Sequence, residues 1–413
     1  MNAMVIRNLK GILTGDGFRQ AGGRRPDWRD CSFIPGPAEI VVNGSGKTLY
    51  CGSQRDWKDS QVERVFDGSG AIATRGWLDS HTHSIFGGSR AREHFQRWGG
   101  ESYEQITAAG GGIHSTIKAT SDATDEELLA RLIDNLRAIA IQGVTVVEVK
   151  SGYGGNASGE LRLLRLINRA ATSVSGLTVI PTFLALHALP RGRSEDDFVA
   201  EMIAALNVVA SERLARCVDS FPERGFFSLE SALSMSKRAI QLGLGVKVHA
   251  DQLSESGTTE AFVQIGALSV DHLEYVSSSG IDALAQNDTV ATMLPVAAFF
   301  LNLPYANARK LLDAGARVAL ATDYNPGSAP ERCLRLTVQL AAGKLKMTAP
   351  EILCALTFNA ATALAESDER GWSFWRCPGG FRGGISPRWL EELLLDGEPV
   401  KIGQPTALVR VVS

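Results

Sequence analysis

The chain predicts an α/β fold, a closed parallel (β/α)8 barrel with a small β domain built from both chain ends. Three observations predict it. From Ala71 onward eight short β-branched runs alternate with amphipathic helical patterns, and eight such units favour a closed barrel over an open sheet. Residues up to about Gly70 and those after Asp368 break that alternation. Catalytic-type polar residues gather just beyond the C-terminal ends of the strand runs, where parallel barrels build their sites.

The opening stretch, MNAMVIRNLKGILTGDG, has no sustained apolar core and no small-residue cleavage site, so no secretory signal is expected. Polar Gly15–Arg29 reads as an exposed loop. Glu39–Val42 and Thr48–Cys51, separated by Gly, Asn and Ser, have hairpin chemistry. Residues 1–70 thus supply the first part of the small domain.

The barrel is expected over residues 71–367. Its strand runs are Ala71–Leu78, Val144–Val149, Leu177–Leu184, Arg216–Phe221, Gly245–His249, Ala267–His272, Thr289–Leu294 and Arg317–Thr322. Thr124–Ile141 is helical, and its Thr followed three residues later by Glu127 forms a capping box. Leu161–Ala171, Phe198–Ala210, Leu229–Leu242, Glu260–Ile265, Tyr305–Ala314 and Glu331–Ala341 space apolar residues by three and four. Pro350–Ala365 is a last helix, with Pro at its start where no N–H donor is lost. Beyond it, Trp372–Arg388 is rich in Gly, Trp and Arg, and LLLDGEPV reads as strand-like around a Gly turn. Residues 368–413 are therefore expected to complete the small domain. Gly110–Gly112 lacks the Lys and Ser/Thr of a phosphate loop.

Composition removes several function classes. A 413-residue chain that is 44% hydrophobic can bury one large core with an accessory layer. A net charge of -3 leaves no footprint for nucleic acid or anionic membrane, and no stretch reaches the length of a membrane span. The cysteines (Cys31, Cys51, Cys217, Cys333, Cys354, Cys377) are scattered without Cys-x-x-Cys spacing, against a disulfide framework or a zinc ribbon. A reduced, cytoplasmic setting is expected.

His81 and His83 lie at alternate positions of an extended run and point to one side. With the distant His249 and the carboxylate of Asp323 they can enclose one divalent ion through N and O ligands. Lys150 and Tyr153 follow the second strand, His187 the third, His249 to Gln252 the fifth, His272 the sixth and Asp323 to Ser328 the eighth. Alone, a His-x-His is usually a surface pair, a Thr-Asp a helix cap, and His272 a hydrogen-bonded core histidine. Their shared position on successive strand ends favours a metal site. His94 and His114 lie away from strand ends and read as surface or loop histidines.

HTHSIFGGSR (81–90), GGGIHSTIKAT (110–120), GVTVVEVKSGYG (143–154), VKVHADQLSESG (246–257), GALSVDHLEY (266–275) and ATDYNPGSAP (321–330) resemble the amidohydrolase superfamily, and within it the imidazolonepropionase family. The similarity runs from about Ile72 to Leu364; the SGYG and TDxNPGS segments are specific to this branch. The resemblance implies a distorted (β/α)8 TIM-like barrel with a flanking β-sandwich, usually a homodimer. It implies hydrolysis of the cyclic amide of 4-imidazolone-5-propanoate to N-formimidoyl-L-glutamate in histidine degradation. By motif, His81, His83, His249 and Asp323 would bind one zinc or iron ion. Arg90, Tyr153, His187, Gln252, Asn325, Gly327 and Ser328 would hold the substrate. A metal-activated water would attack the ring carbonyl, Asp323 would shuttle the proton, and His272 would orient the water or polarise the carbonyl.

Two departures from the family pattern stand out. Gln252 occupies a position where many members carry a Glu proposed as general base, and a neutral amide can only orient water or substrate. After Asp368 the chain reads RGWSFWRCPGGFRGG and lacks the strand expected there. The alternatives are another cyclic amidohydrolase or deaminase on the same scaffold, and a non-catalytic metal- or ligand-binding homologue. Arg90, Tyr153 and the NPGS loop, suited to a small anionic imidazolone, argue against the first. The intact metal ligands argue against the second.

Overall fold

The computed structural model describes residues 3–43, 47–56, 62–101, 105–106, 109–367, 369, 371–376 and 388–400. The chain starts in a small mixed sheet. β1 (Ala3–Leu13) pairs antiparallel with β2 (Phe33–Val42), and β2 with β3 (Thr48–Ser53), so the expected hairpin is present with longer strands. On its other edge β1 runs parallel first to β4 (Val62–Asp67) and then to β5 (Ile72–Arg75). Ile6, Ile40, Val42 and Ala73 share one buried face of this sheet, the period-two pattern of a half-buried layer. Gly15–Arg29 is not simply an exposed loop. Asp16–Gln20 forms a short helix whose Phe18 is buried in the main core, and the Arg24 guanidinium donates to the carbonyls of Ala285 and Gly315. One aromatic in a polar run is enough to anchor it.

The expected strand Ala71–Leu78 is two strands. β5 belongs to the small sheet, and after Gly76 the chain enters the barrel as β6 (Trp77–Asp79). The turn passes so close to β7 (Val144–Lys150) that a Cβ on Gly76 would lie 2.1 Å from Thr145 Oγ1. β8 (Thr178–Leu186), β9 (Cys217–Ser220), β10 (Gly245–Ala250), β11 (Ser269–His272), β12 (Val290–Met293) and β13 (Arg317–Leu320) follow. Each pairs in parallel with its sequence neighbour, giving the order β13 to β6 in one eight-stranded sheet. The seam between first and last strands is closed differently. Thr82 bridges Tyr324 in parallel, the Asp323 N–H donates to the His81 carbonyl at 3.0 Å, and Asp79 accepts from the Thr322 N–H and hydroxyl at 3.0 and 2.7 Å. Asp79 is fully buried, and desolvation lifts its carboxyl to about 6 against the two Thr322 hydrogen bonds.

The helix over Asp125–Ala140 carries the expected capping box of Thr124 and Glu127. The predicted Pro350–Ala365 helix is interrupted at Thr357 (φ −122, ψ −93), leaving Ala349–Leu356 and Phe358–Thr362. The strand thought absent after Asp368 is present: β14 (Trp372–Arg376) pairs antiparallel with β5, and Trp375 packs on Trp77 at 4.1 Å between ring centroids. LLLDGEPV is not a strand pair. Arg388–Asp396 is helical, with Leu390, Leu393 and Leu394 buried at three- and four-residue spacing, and among the described residues only β15 (Glu398–Pro399) follows. The Gly-rich tract 377–387 and residues 401–413 lie outside the described residues. His94 and His114 are helical, not loop residues; His94 is buried on the inner face of Ala91–Trp98, and His114 is half-buried on Ile113–Asp122. No helix among the described residues is long and apolar enough to cross a membrane.

Candidate metal centre and active site

Three strand ends and the closing seam bring four side chains together inside the barrel mouth. His83 Nε2 stands 3.3 Å from His81 Nε2 and 3.4 Å from His249 Nε2. Asp323 Oδ1 stands 3.4 Å from His81 Nε2 and 3.3 Å from His83 Nε2. All four residues are buried.

The proton inventory decides what this cluster is for. His81 Nδ1 bonds Asp271 Oδ2 at 2.6 Å, and His249 Nδ1 bonds Asp219 Oδ1 at 3.1 Å. A proton on each Nδ1 satisfies those carboxylates and leaves both Nε2 atoms as lone pairs. Ionised Asp323 adds a third acceptor. His81 Nε2 and Asp323 Oδ1, two acceptors 3.4 Å apart, repel unless a cation lies beside both. Four tetrahedral ligands at the about 2.0–2.1 Å of zinc–nitrogen and zinc–carboxylate bonds are separated by about 3.3–3.4 Å. The spacing, the donor set and the two carboxylate-oriented imidazoles fit a divalent metal.

Sequence reasoning missed the carboxylates behind the ligands. Asp219 also accepts from Lys150 Nζ at 2.6 Å, and Lys150 reaches Glu148 at 2.8 Å. Lys247 lies 3.4 Å from Asp271 and donates to Ser269 Oγ at 2.6 Å. The five charged side chains among them are wholly buried. The Asp271-His272 and CVDS strings hold the only local signal, an acidic residue in a buried strand next to or near the site.

A cavity of about 540 Å³ opens above the cluster. His83, His249, His272 and Asp323 reach it from the metal side, and Arg90, Tyr153, His187 and Gln252 from the walls. Asn325, Gly327 and Ser328 complete it; His81 lies just behind, fully enclosed. The predicted residues are thus gathered around one space, except that Lys150 faces the barrel interior. Phe221 and Phe226 also line it, an apolar wall that the polar-residue search passed over.

Local electrostatics give these groups distinct capacities. His187 donates Nδ1–H to the Gly152 carbonyl at 3.0 Å, and burial, then His249, press its imidazole down to about 3. It is therefore neutral, with an Nε2 acceptor to offer. His249 falls to about 4, by burial first, with Asp219 opposing. Burial would lower His272 too, but the carboxylates of Glu274, Asp323 and Asp271 outweigh it and raise that imidazole, so His272 holds a proton more readily than its neighbours. The Tyr153 phenol is pushed up by burial and stays a donor. Asn325 is consumed by its own loop: Oδ1 accepts from the Gly327 and Ser328 N–H groups at 2.8 and 2.7 Å, and Nδ2 donates to the Asp323 carbonyl and Ser328 Oγ. That side chain shapes the loop.

No family model matches the chain. Among curated relatives, the imidazolonepropionase of Caldanaerobacter subterraneus subsp. tengcongensis is 46% identical over 371 residues, covering 89% of this chain and 88% of its own. That of Bdellovibrio bacteriovorus is 39% identical over 374 residues, covering 89% and 87%. A triazine hydrolase variant matches the fold with a TM-score of 0.75 at 17% identity, over 97% of this chain and 93% of that one. An adenosine deaminase from Xanthomonas campestris with bound zinc matches at 0.70 and 12% identity, over 97% and 91%. At such identities the two solved structures speak for the fold alone.

Proposed function

The chain belongs to the imidazolonepropionase family, and on that premise we propose that it hydrolyses 4-imidazolone-5-propanoate to N-formimidoyl-L-glutamate with the side chains above in the following roles. It is a metal-dependent hydrolase of a cyclic carbon–nitrogen bond. The observation that carries the reading is one cavity with three histidines and a carboxylate clustered at its floor and a guanidinium in its wall.

His81, His83, His249 and Asp323 would hold a divalent ion, which would supply Lewis acidity toward a nucleophilic water and a carbonyl oxygen. Asp323 Oδ2, which accepts from Ser328 Oγ at 3.2 Å, faces away from the ligand edge and takes the proton of the attacking water. It returns that proton to the ring nitrogen as the carbon–nitrogen bond breaks. His272 donates a ring N–H to the carbonyl oxygen as negative charge develops there. Neutral His187 accepts a ring N–H at Nε2, and Tyr153 donates. Gln252, an amide that cannot ionise, orients water or substrate. Arg90 meets the propionate with a planar fork suited to a carboxylate. Phe221 and Phe226 exclude water beside the ring. A homodimer and a cytoplasmic location belong to the same proposal, on the strength of family membership.

The test is the loss of 4-imidazolone-5-propanoate absorbance on adding metal-loaded protein, against a chelated control. Metal-dependent decay with formimidoylglutamate as product is expected. Folded, metal-replete protein that leaves the substrate intact overturns the reading.

A further inference from the structure

The helix Ala91–Trp98, with Arg90 as its N-terminal flank, carries Arg90, His94 and Arg97 against the Asn325–Ser328 loop, with Glu93 beside them. Their spacing of three, four and seven residues places them on a single helical face. His94 Nε2 bonds the Pro326 carbonyl at 3.1 Å, and Arg97 Nη2 donates to the Gly327 carbonyl at 3.1 Å. Arg90 lies so near that a Cβ on Gly327 would sit 1.9 Å from Nη1. Only glycine leaves room for the guanidinium there.

Glu93 fixes the other edge of that guanidinium. Its Oε2 accepts from Arg90 Nε at 2.8 Å and lies 2.8 Å from Nη2. Its Oε1 takes the Gly112 N–H at 3.2 Å and Ser115 Oγ at 3.3 Å. Glu93 and His94 are 8% and 3% exposed, so neither is a solvated surface group. A guanidinium has two hydrogen-bonding edges. With the Nε/Nη2 edge occupied, Nη1 is turned toward Gly327 and the cavity.

We infer that Glu93 and His94 are positioning residues for an anionic substrate group: Glu93 aims the Arg90 guanidinium and His94 holds the Pro326–Gly327 backbone against it. Neither touches the reacting atoms. The inference rests on the reading of an anionic substrate given above. Together the two residues set where the Arg90 fork stands beside the Pro326–Gly327 backbone at the cavity wall, and hence the place at which a carboxylate is received.

The experiment uses full-length metal-loaded protein and two unreactive probes, 3-(imidazol-4-yl)propanoate and its neutral carboxamide, with dissociation constants read by calorimetry. Wild type is expected to prefer the acid by about tenfold or more, the worth of a charge-assisted contact. His94→Phe keeps the ring volume without the donor, and is expected to lose most of that preference while its affinity for the amide stays within about twofold. His94→Gln restores an N–H donor and is expected to recover the preference in part. Glu93→Gln keeps an acceptor for the loop but not the charge, and is expected to weaken acid binding selectively. A wild type that does not distinguish acid from amide overturns the anionic-substrate reading and this inference with it. A wild type that prefers the acid, with His94→Phe and Glu93→Gln preferring it equally, overturns the inference alone. Equal loss for both probes also overturns it, since that marks a purely structural role.

Discussion

Asp323 meets two demands with one side chain. Its backbone is left-handed (φ 55), as are those of His272 (φ 89) and Leu273 (φ 70). Non-glycine residues hold such conformations where surrounding contacts over-determine them, often at reactive sites. Oδ1 faces His81 and His83, while Oδ2 faces Ser328. Asp323→Asn keeps the shape and removes the proton acceptor. Turnover is expected to fall by about 10²–10⁴-fold, assayed on protein of verified metal content; a variant within tenfold of wild type would exclude proton transfer by this residue. Gln252→Glu runs the opposite way, placing an ionisable group in the cavity wall. A shifted acid limb in the pH–rate profile is expected, and an unchanged profile would show that position 252 serves as no base in either form. His94 gives a pH signature of its own. Burial first, then the charges of Arg97 and Arg90, lowers its imidazole below the ordinary 6.5, against the Pro326 carbonyl. Below pH 6.5 the unfolded chain binds a proton at His94 that the folded chain resists, so stability is full above 6.5 and declines as pH falls toward the folded value. Urea unfolding between pH 7.5 and 5.5 should show a steeper decline for wild type than for His94→Phe, and parallel slopes would contradict the shift.

At the scale of elements, β14 ties the small sheet to the barrel. Trp375 stacks on Trp77, its Nε1 donates to Thr74 Oγ1 at 3.1 Å, and Ser373 Oγ bonds the Gly143 carbonyl. Trp375→Ala removes a fully enclosed ring between the two sheets, and a loss of about 3–5 kcal/mol is expected from the shift of the denaturation midpoint. A loss below about 1 kcal/mol would mean that the sheets dock without it. This strand illustrates what could be read from the chain. The eight barrel runs were legible because buried parallel strands are short, β-branched and flanked by helices, and Thr124 with Glu127 was legible because a capping box is local. β14 was not: WSFWR lies in a Gly- and Arg-rich stretch, and its partner β5 is nearly 300 residues away, before a turn at Gly76 hidden inside what read as one continuous run. The clustering of His81, His83 and His249 was legible because strand ends carry them in sequence order. Asp219 and Asp271 were not, since their meaning depends on His249 and His81, and the His81–Asp271 contact spans 190 positions. The inner face of Ala91–Trp98 failed for the opposite reason: charged neighbours make His94 look solvated, although Glu93 and Arg97 face inward with it.

Across the whole molecule, the barrel interior carries a charge imbalance that only a cation settles. Glu148, Asp219, Asp271 and Asp323 face two ammonium groups, Lys150 and Lys247, within one contiguous buried network that also takes in His81 and His249. Four carboxylates against two ammoniums leave two negative charges in a region where uncompensated charge is costly, the charge of one divalent ion with opposite sign. Lys150 keeps Asp219 and Glu148 from repelling one another, and the metal does the same for Asp323 and the lone pairs facing it. Metal binding is therefore folding free energy for this chain, because the unfolded chain has no such cluster. At free metal 100-fold above its dissociation constant the expected stabilisation is about 2.7 kcal/mol. Calorimetric melting of chelated protein should thus fall several degrees below that of the metal-loaded form, with recovery on adding zinc and no recovery on adding magnesium, whose octahedral oxygen preference does not suit three imidazoles. His249→Ala should abolish most of the zinc-dependent increment while leaving the barrel folded, since it removes a ligand and frees Asp219 to pair with Lys150 alone. A melting temperature indifferent to chelator and zinc would mean that this cluster of buried acceptors is held together by protons, and the metal-centred account of the barrel would fall with it.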